Sequence, residues 1–156
     1  MNEKIAGMYP WAKNTQAMRD QVLNTLSDAD LAYTPGGDAM KLGELFREWG
    51  EIEHAYIESF TQFTQTFSYR TDKPEVANSV AALGAWLKSL DEQLEAALEA
   101  VEDSEKIIKR EGGFETTVFV QLDIYLQALL IFMAKLSVYF RIMKRPLPGE
   151  ISSWIG

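Results

Sequence analysis

Residues Thr117–Arg145, TVFVQLDIYLQALLIFMAKLSVYFRIMKR, keep apolar side chains at helical spacing until Pro146-Leu147-Pro148 stops them. At 1.5 Å per residue the stretch spans roughly 40 Å, so it is expected to be one long helix against which the rest of the chain packs. A rotation of about 100° per residue gathers Asp123, Gln127, Ser137, Arg141, Lys144 and Arg145 into a polar stripe, expected to face water. The opposite side holds Gln121, Tyr125, Ala128, Phe132, Lys135 and Tyr139. An amide, a lysine and two phenols thus lie along a line that otherwise reads as core, and function is sought there.

With 156 residues, of which 47% are hydrophobic, the chain is the size of one domain. A chain of this length buries about two-thirds of its unfolded surface, enough for a single core. Fifteen basic residues stand against 23 acidic ones, a net charge of −8. That balance repels phosphate backbones and anionic lipid heads, so neither nucleic acid nor a membrane surface is an expected partner. The longest uninterrupted apolar run, Ala128 to Ala134, is also far short of the ~20 residues of a membrane span.

No cysteine is present, which removes disulfides, thiolate metal sites and a cysteine nucleophile. Together with an N-terminus, MNEKIAGMYPWAKN, that lacks a signal-peptide core, this fits a cytoplasmic protein. His54 is the sole histidine, a strong limit on metal and acid/base chemistry.

Taken in order, residues 1–8 read as a short tail and Pro10 as the first turn of a helix to about Leu26, with Trp11, Met18, Val22 and Leu26 on its apolar edge. Ser27-Asp28-Ala29-Asp30 reads as a cap opening one further turn, ended by Thr34-Pro35-Gly36-Gly37, with Tyr33 turned inward. A second long helix is expected from about Met40 to Phe67, capped by Asp38. Its Leu42, Leu45, Phe46, Trp49, Ile52, Tyr56, Phe60, Phe63 and Phe67 fall within one sector. After a loop over 68–78, a third helix covers about Ser79–Val101. Val80, Leu83, Leu87, Leu90, Leu94, Ala97 and Leu98 line it, and Lys88, Asp91, Glu92, Glu95 and Glu99 form a solvated face. Residues Glu102–Thr116, with Gly112-Gly113, read as an extended or irregular crossover. In the tail, Ile151 and Trp154 are expected to cover a bundle end or a partner. The architecture is therefore all-α: one four-helix-bundle domain over 1–156 with a long crossover before the last helix.

On the second helix Glu53 falls inside the apolar sector and Glu48 at its margin. A buried carboxylate must be paired or protonated, and Lys135 is the natural partner for one of the two, with Gln121, Tyr125 or Tyr139 supplying hydrogen bonds. Such a set is either a structural ion pair, with a lysine reaching to the bundle mouth, or the lining of a polar pocket for a small ligand. Glu51 and His54, three apart, are expected on the outer side of the helix. One such pair does not make the Glu-x-x-His sets of di-metal bundles. No Gly-rich phosphate loop, H-E-x-x-H or G-x-S-x-G is present, and no cofactor is implied.

The stretch Lys41-Leu42-Gly43-Glu44-Leu45-Phe46-Arg47-Glu48-Trp49-Gly50-Glu51-Ile52-Glu53 resembles the "lGelllHiaevE" segment of the DinB/YfiT-like four-helix bundles. The run from Val138 to Pro148, VYFRIMKRPLP, is similar to that family's closing "aylRllGvplP". Helix order, length and the long crossover agree over essentially the whole chain. The resemblance implies a homodimer built by side-by-side helix packing, and for many members a divalent metal held by three histidines that serves thiol-linked transfer or isomerisation. Carried over, those three positions hold Glu48, Ala128 and Phe132, and the family's Gly-Gln stands as Ala134-Lys135. The expectation is a bundle without the metal triad, with Lys135 supplying the cation beside Glu48 or Glu53. It would act as a small-molecule-binding or stress-associated accessory protein. A thiol-dependent transferase with a rearranged pocket and a structural or partner-binding bundle are the alternatives.

Overall fold

Four long helices have to hide their apolar sides from water, and they do so against one another. The computed structural model of the chain describes residues 1–155. Helix α1 spans Glu3–Leu23, α2 is the short turn Asp28–Leu31, and α3 spans Leu42–Gln62. Helix α4 follows at Val80–Glu99, α5 at Val118–Ile142 and α6 at Gly149–Ile155. α1 packs on α5 and α3 on α4, while contacts of α3 with α5 and of α1 with α4 close the ring. The fold is an all-α bundle with the crossover placed before the last long helix, as the sequence pattern predicts.

The departures from that pattern have local causes. The expected tail 1–8 is the first part of α1. Asn2 accepts the Lys4 backbone N–H at 3.0 Å as N-cap, and Ile5 and Tyr9 are buried, so the helix starts upstream and Pro10 lies inside it. Trp11, expected on the apolar edge, is 57% exposed. The second long helix starts at Leu42, whose N–H donates to the Tyr33 carbonyl, so Asp38 is not its cap. It stops at Gln62 because Phe63 adopts the left-handed conformation at φ 58°. Phe67 is therefore outside the helix and partly exposed.

The freed chain forms β1, Thr64–Gln65, which pairs parallel to β2, Ile107–Arg110. β2 pairs antiparallel with β3, Glu115–Thr117, across the Gly112-Gly113 turn, where both glycines have positive φ. This three-stranded sheet, in the order β1-β2-β3, fastens the crossover to the end of α3.

Close approach also depends on glycine. A methyl group built on Gly43 would overlap the Ala77 carbonyl oxygen, and one on Gly50 would overlap the Trp86 ring. These two positions let the 3-10 turn Pro74–Ala77 and α4 sit directly on the α3 backbone. Ser79 and Thr117 cap α4 and α5 through Ala82 and Val120.

Helix α5 corrects the sequence reading most. Its expected water-facing stripe is not uniformly exposed, since Ser137 is buried and Arg145 pairs with Asp30 at 2.6 Å. Gln127 and Arg141 are exposed as expected, but apolar side chains share that side: Val120, Leu130, Ile131, Val138 and Ile142 are between 44% and 60% exposed. Among the described residues α5 is also the one helix long and apolar enough to cross a membrane. Its inner side nevertheless carries Leu122, Tyr125, Leu129, Leu136 and Phe140 of the bundle core. In the tail, Ile151 is buried as expected and Trp154 is 56% exposed.

Candidate functional site

The six residues singled out from sequence fall into three separate environments. In the first, Glu53 of α3 and Tyr125 of α5 are fully buried. Glu53 does not reach Lys135. Its partner is Arg19 of α1, whose Nη1 lies 3.2 Å from Glu53 Oε2 with both side chains sealed from solvent. Gln16 Nε2 donates to Glu53 Oε1 at 3.1 Å and to the Tyr125 hydroxyl at 3.1 Å. Arg19 Nη2 also meets Asp91 Oδ2 of α4 at 2.7 Å and Asp20 Oδ1 at 2.8 Å. Asp91, expected on a solvated face, is thus turned inward. One guanidinium links α1, α3 and α4, and Gln16 carries the network to α5.

The electrostatics follow from burial. Desolvation pushes the Glu53 carboxyl well above its ordinary range and outweighs the pull of Arg19, whose charge is shared with Asp91 and Asp20. Burial alone would lower Arg19, but Glu53 and Asp91 reverse that and hold the guanidinium more firmly protonated than usual. The Tyr125 hydroxyl is raised by burial and by the neighbouring Glu53, so it stays a neutral phenol.

In the second environment Gln121, also fully buried, donates to Ser59 Oγ at 3.2 Å and Gln65 Oε1 at 2.8 Å. It anchors the start of α5 to α3 and β1. No hydrogen bond joins this amide cluster to the Arg19 network.

The third environment is at the edge of the bundle, where Tyr139 is buried and Lys135 and Glu48 are not. Lys135 Nζ lies 3.4 Å from Glu48 Oε2 and 4.7 Å from the Phe132 ring centroid, with the two charged side chains 46% and 39% exposed. Lys135 is at the bundle margin because it sits between the inner line of α5 and the outer row. Tyr139 donates to the Met40 carbonyl at 2.6 Å, and burial followed by Glu48 raises its hydroxyl. Beside Glu48 a hollow of about 220 Å³ opens between α3 and the 67–70 loop, lined by Met40, Glu44, Arg47, Ile52, Phe67 and Arg70 among others. Glu51, expected to point outward, is buried under this loop. It accepts the Thr71 N–H at 3.1 Å and lies 3.6 Å from Arg70 Nε and 3.7 Å from Arg47 Nε. His54 stacks on Tyr69, with ring centroids 3.6 Å apart.

The positions where the family resemblance puts metal-binding histidines can be tested for fit. Glu48 is engaged by Lys135, Ala128 offers no donor, and the Phe132 ring stacks on Trp49 at 5.3 Å. One carboxylate with a lysine against it does not fit the three-histidine type of metal site, in which three donor side chains hold the ion. Among the described residues no group of three or more histidine, cysteine, aspartate or glutamate side chains is arranged to hold a metal.

Arg19 is the residue that sequence reasoning passed over. The signal was present: Ile5, Tyr9, Ala12, Gln16, Arg19 and Leu23 recur at four- and three-residue steps, so Gln16 and Arg19 lie on the buried edge.

These helices and their crossover define a DinB-like all-α fold. Among solved structures the chain is similar to YjoA, a DinB-like protein of Bacillus subtilis. The two superpose with a TM-score of 0.68 at 19% identity, covering 94% of this chain and 96% of that one. No family model and no curated protein matches the sequence.

Proposed function

We propose that this chain is a DinB-like bundle that has exchanged the metal-dependent chemistry of such proteins for binding of a small molecule, as an accessory protein of the cytoplasm. The observation that carries the reading is Lys135. Its ammonium stands against Glu48 and over the ring of Phe132, two of the three positions where the resemblance expects metal ligands. The chain itself thereby supplies a positive charge at that pole, without a Lewis acid. The hollow beside Glu48, where Arg47 pairs with Glu44 and Arg70 with Glu51, is the binding place this reading favours. Absence of cysteine supports the cytoplasmic assignment.

The transferase alternative would need Glu48, Glu53, Tyr125, Lys135 and Tyr139 to act together. No hydrogen bond connects Glu53 and Tyr125 with Glu48, Lys135 or Tyr139, so the binding reading is preferred.

A specific observation supports a homodimer as well. The outer row of α5, Val120, Ile131 and Ile142, is uncharged in a molecule of net charge −8. Two such molecules can meet there with the least repulsion. Native mass spectrometry before and after addition of zinc and nickel tests both statements. A dimer with no stoichiometric metal is expected, and a tightly bound ion in equal proportion to chain overturns the metal-free reading.

A further inference from the structure

A second hollow has no part in the Glu48 site. It measures about 420 Å³, lies between α1, α5 and α6, and shares no lining residue with the hollow beside Glu48. Its walls are Met18, Leu130, Met133, Val138, Ile151 and Trp154, with the small Ala134 in their midst. A volume in the range of small-molecule sites, an almost wholly apolar wall and a single polar end are the features of a site for an elongated apolar ligand. The two methionines add a surface that can adapt to a flexible chain.

The polar end decides the chemistry of the occupant. Arg141 is the one charged residue on the lining, and among the described residues its guanidinium makes no ion pair and no side-chain hydrogen bond. Glu150, the acidic residue of α6, is held by Gln21 at 2.9 Å and does not line the hollow. Ser137, the other polar residue, donates its hydroxyl to the Met133 carbonyl. An unpaired cation at the end of an apolar trough, on a molecule that is acidic as a whole, complements a single negative charge at the end of an apolar tail.

We propose that the hollow between α1, α5 and α6 is a ligand site for a monoanionic amphiphile. Its alkyl chain lies along Met18, Met133 and Ile151 under the Trp154 indole, and its carboxylate pairs with Arg141. The assignment is independent of what the Glu48 hollow binds.

Titration with decanoate, decanol and decylamine tests it, read by calorimetry and by fluorescence of the tryptophans. Decanoate is expected to bind with one site per chain and tighter than decanol, and decylamine weakest. Arg141→Gln should weaken decanoate about tenfold, the size of one charge-assisted hydrogen bond, and leave decanol unchanged. Ala134→Trp, which fills the hollow from an exposed position, should abolish both, with the circular-dichroism spectrum and melting curve reporting that the fold is kept. The proposal is overturned if decanoate does not bind, or if its affinity ignores both substitutions. It is equally overturned if sedimentation shows Ala134→Trp dissociating a dimer whose wild type takes up no decanoate, because the hollow would then be a contact between copies.

Discussion

Arg19 Nη1 and Glu53 Oε2 face each other at 3.2 Å with neither side chain touching solvent. Such a pair contributes little when intact and much when broken, because the survivor is left charged or desolvated without a partner. Arg19→Met is therefore expected to lose ~3–5 kcal/mol of stability in urea unfolding. Adding Glu53→Leu should restore part of that loss. A double variant as unstable as the sum of the singles would mean that the two residues act independently.

The raised Glu53 carboxyl gives a signed pH dependence. Its folded-state value lies above the unfolded one, so the folded protein takes up a proton that the unfolded chain releases. The stabilisation is complete below the ordinary glutamate range and is lost as pH rises through the folded value. Wild-type urea midpoints should accordingly fall across that window, while Glu53→Gln should remove this component. Asp30 works in the opposite sense: hydrogen bonds from Ser27 and Arg145 outweigh burial and lower it, so its contribution is lost as pH falls.

Lys135 and Glu48 are each more than a third exposed, and their attraction is screened by water. Lys135→Met should change stability by no more than ~1 kcal/mol. A larger loss in thermal or urea unfolding would mean that the lysine is held inside the bundle.

Gly50 lies against the Trp86 ring with no room for a side chain. Gly50→Ala is expected to destabilise by ~1–3 kcal/mol through overpacking. Trp86→Phe shortens the opposing ring, so Gly50→Ala should cost less in that background. Equal costs in the two backgrounds would refute the contact.

The homodimer proposed above rests on the outer row of α5 and can be tested there. Ile131→Asp puts a charge on the most exposed residue of that row without touching the core. Sedimentation should then report a monomer, with the unfolding curve otherwise preserved.

Helix periodicity made the bundle readable in advance, because Leu42, Phe46, Trp49, Tyr56 and Phe60 sit on one side of α3 at spacings few other structures produce. The candidate site was read less well, for physical reasons. Angle around a helix says which way Lys135 leaves the backbone but not where a four-carbon stem carries its charge, and the charge is at the rim. Glu53 was correctly inward, yet its partner lay on α1, a helix whose buried edge includes Gln16 and Arg19 and so carries weak apolar contrast. The short β1 was invisible, since two residues carry no period and Phe63 ends α3 by a backbone conformation that favours glycine. The apolar outer row of α5 was obscured by Asp123, Gln127 and Arg141 interleaved with it.

The pairing of Thr64 with Lys109 closes the polypeptide into a ring that encloses all of α4. Measured from the unfolded chain, that closure is an entropic toll, lowered only once α4 has docked on α3 and shortened the path between the strands. Docking of α4 and pairing of the sheet should therefore stabilise each other, so that a change loosening β1 against β2 also loosens α4, and α5, which begins where β3 ends, takes its starting position from the sheet.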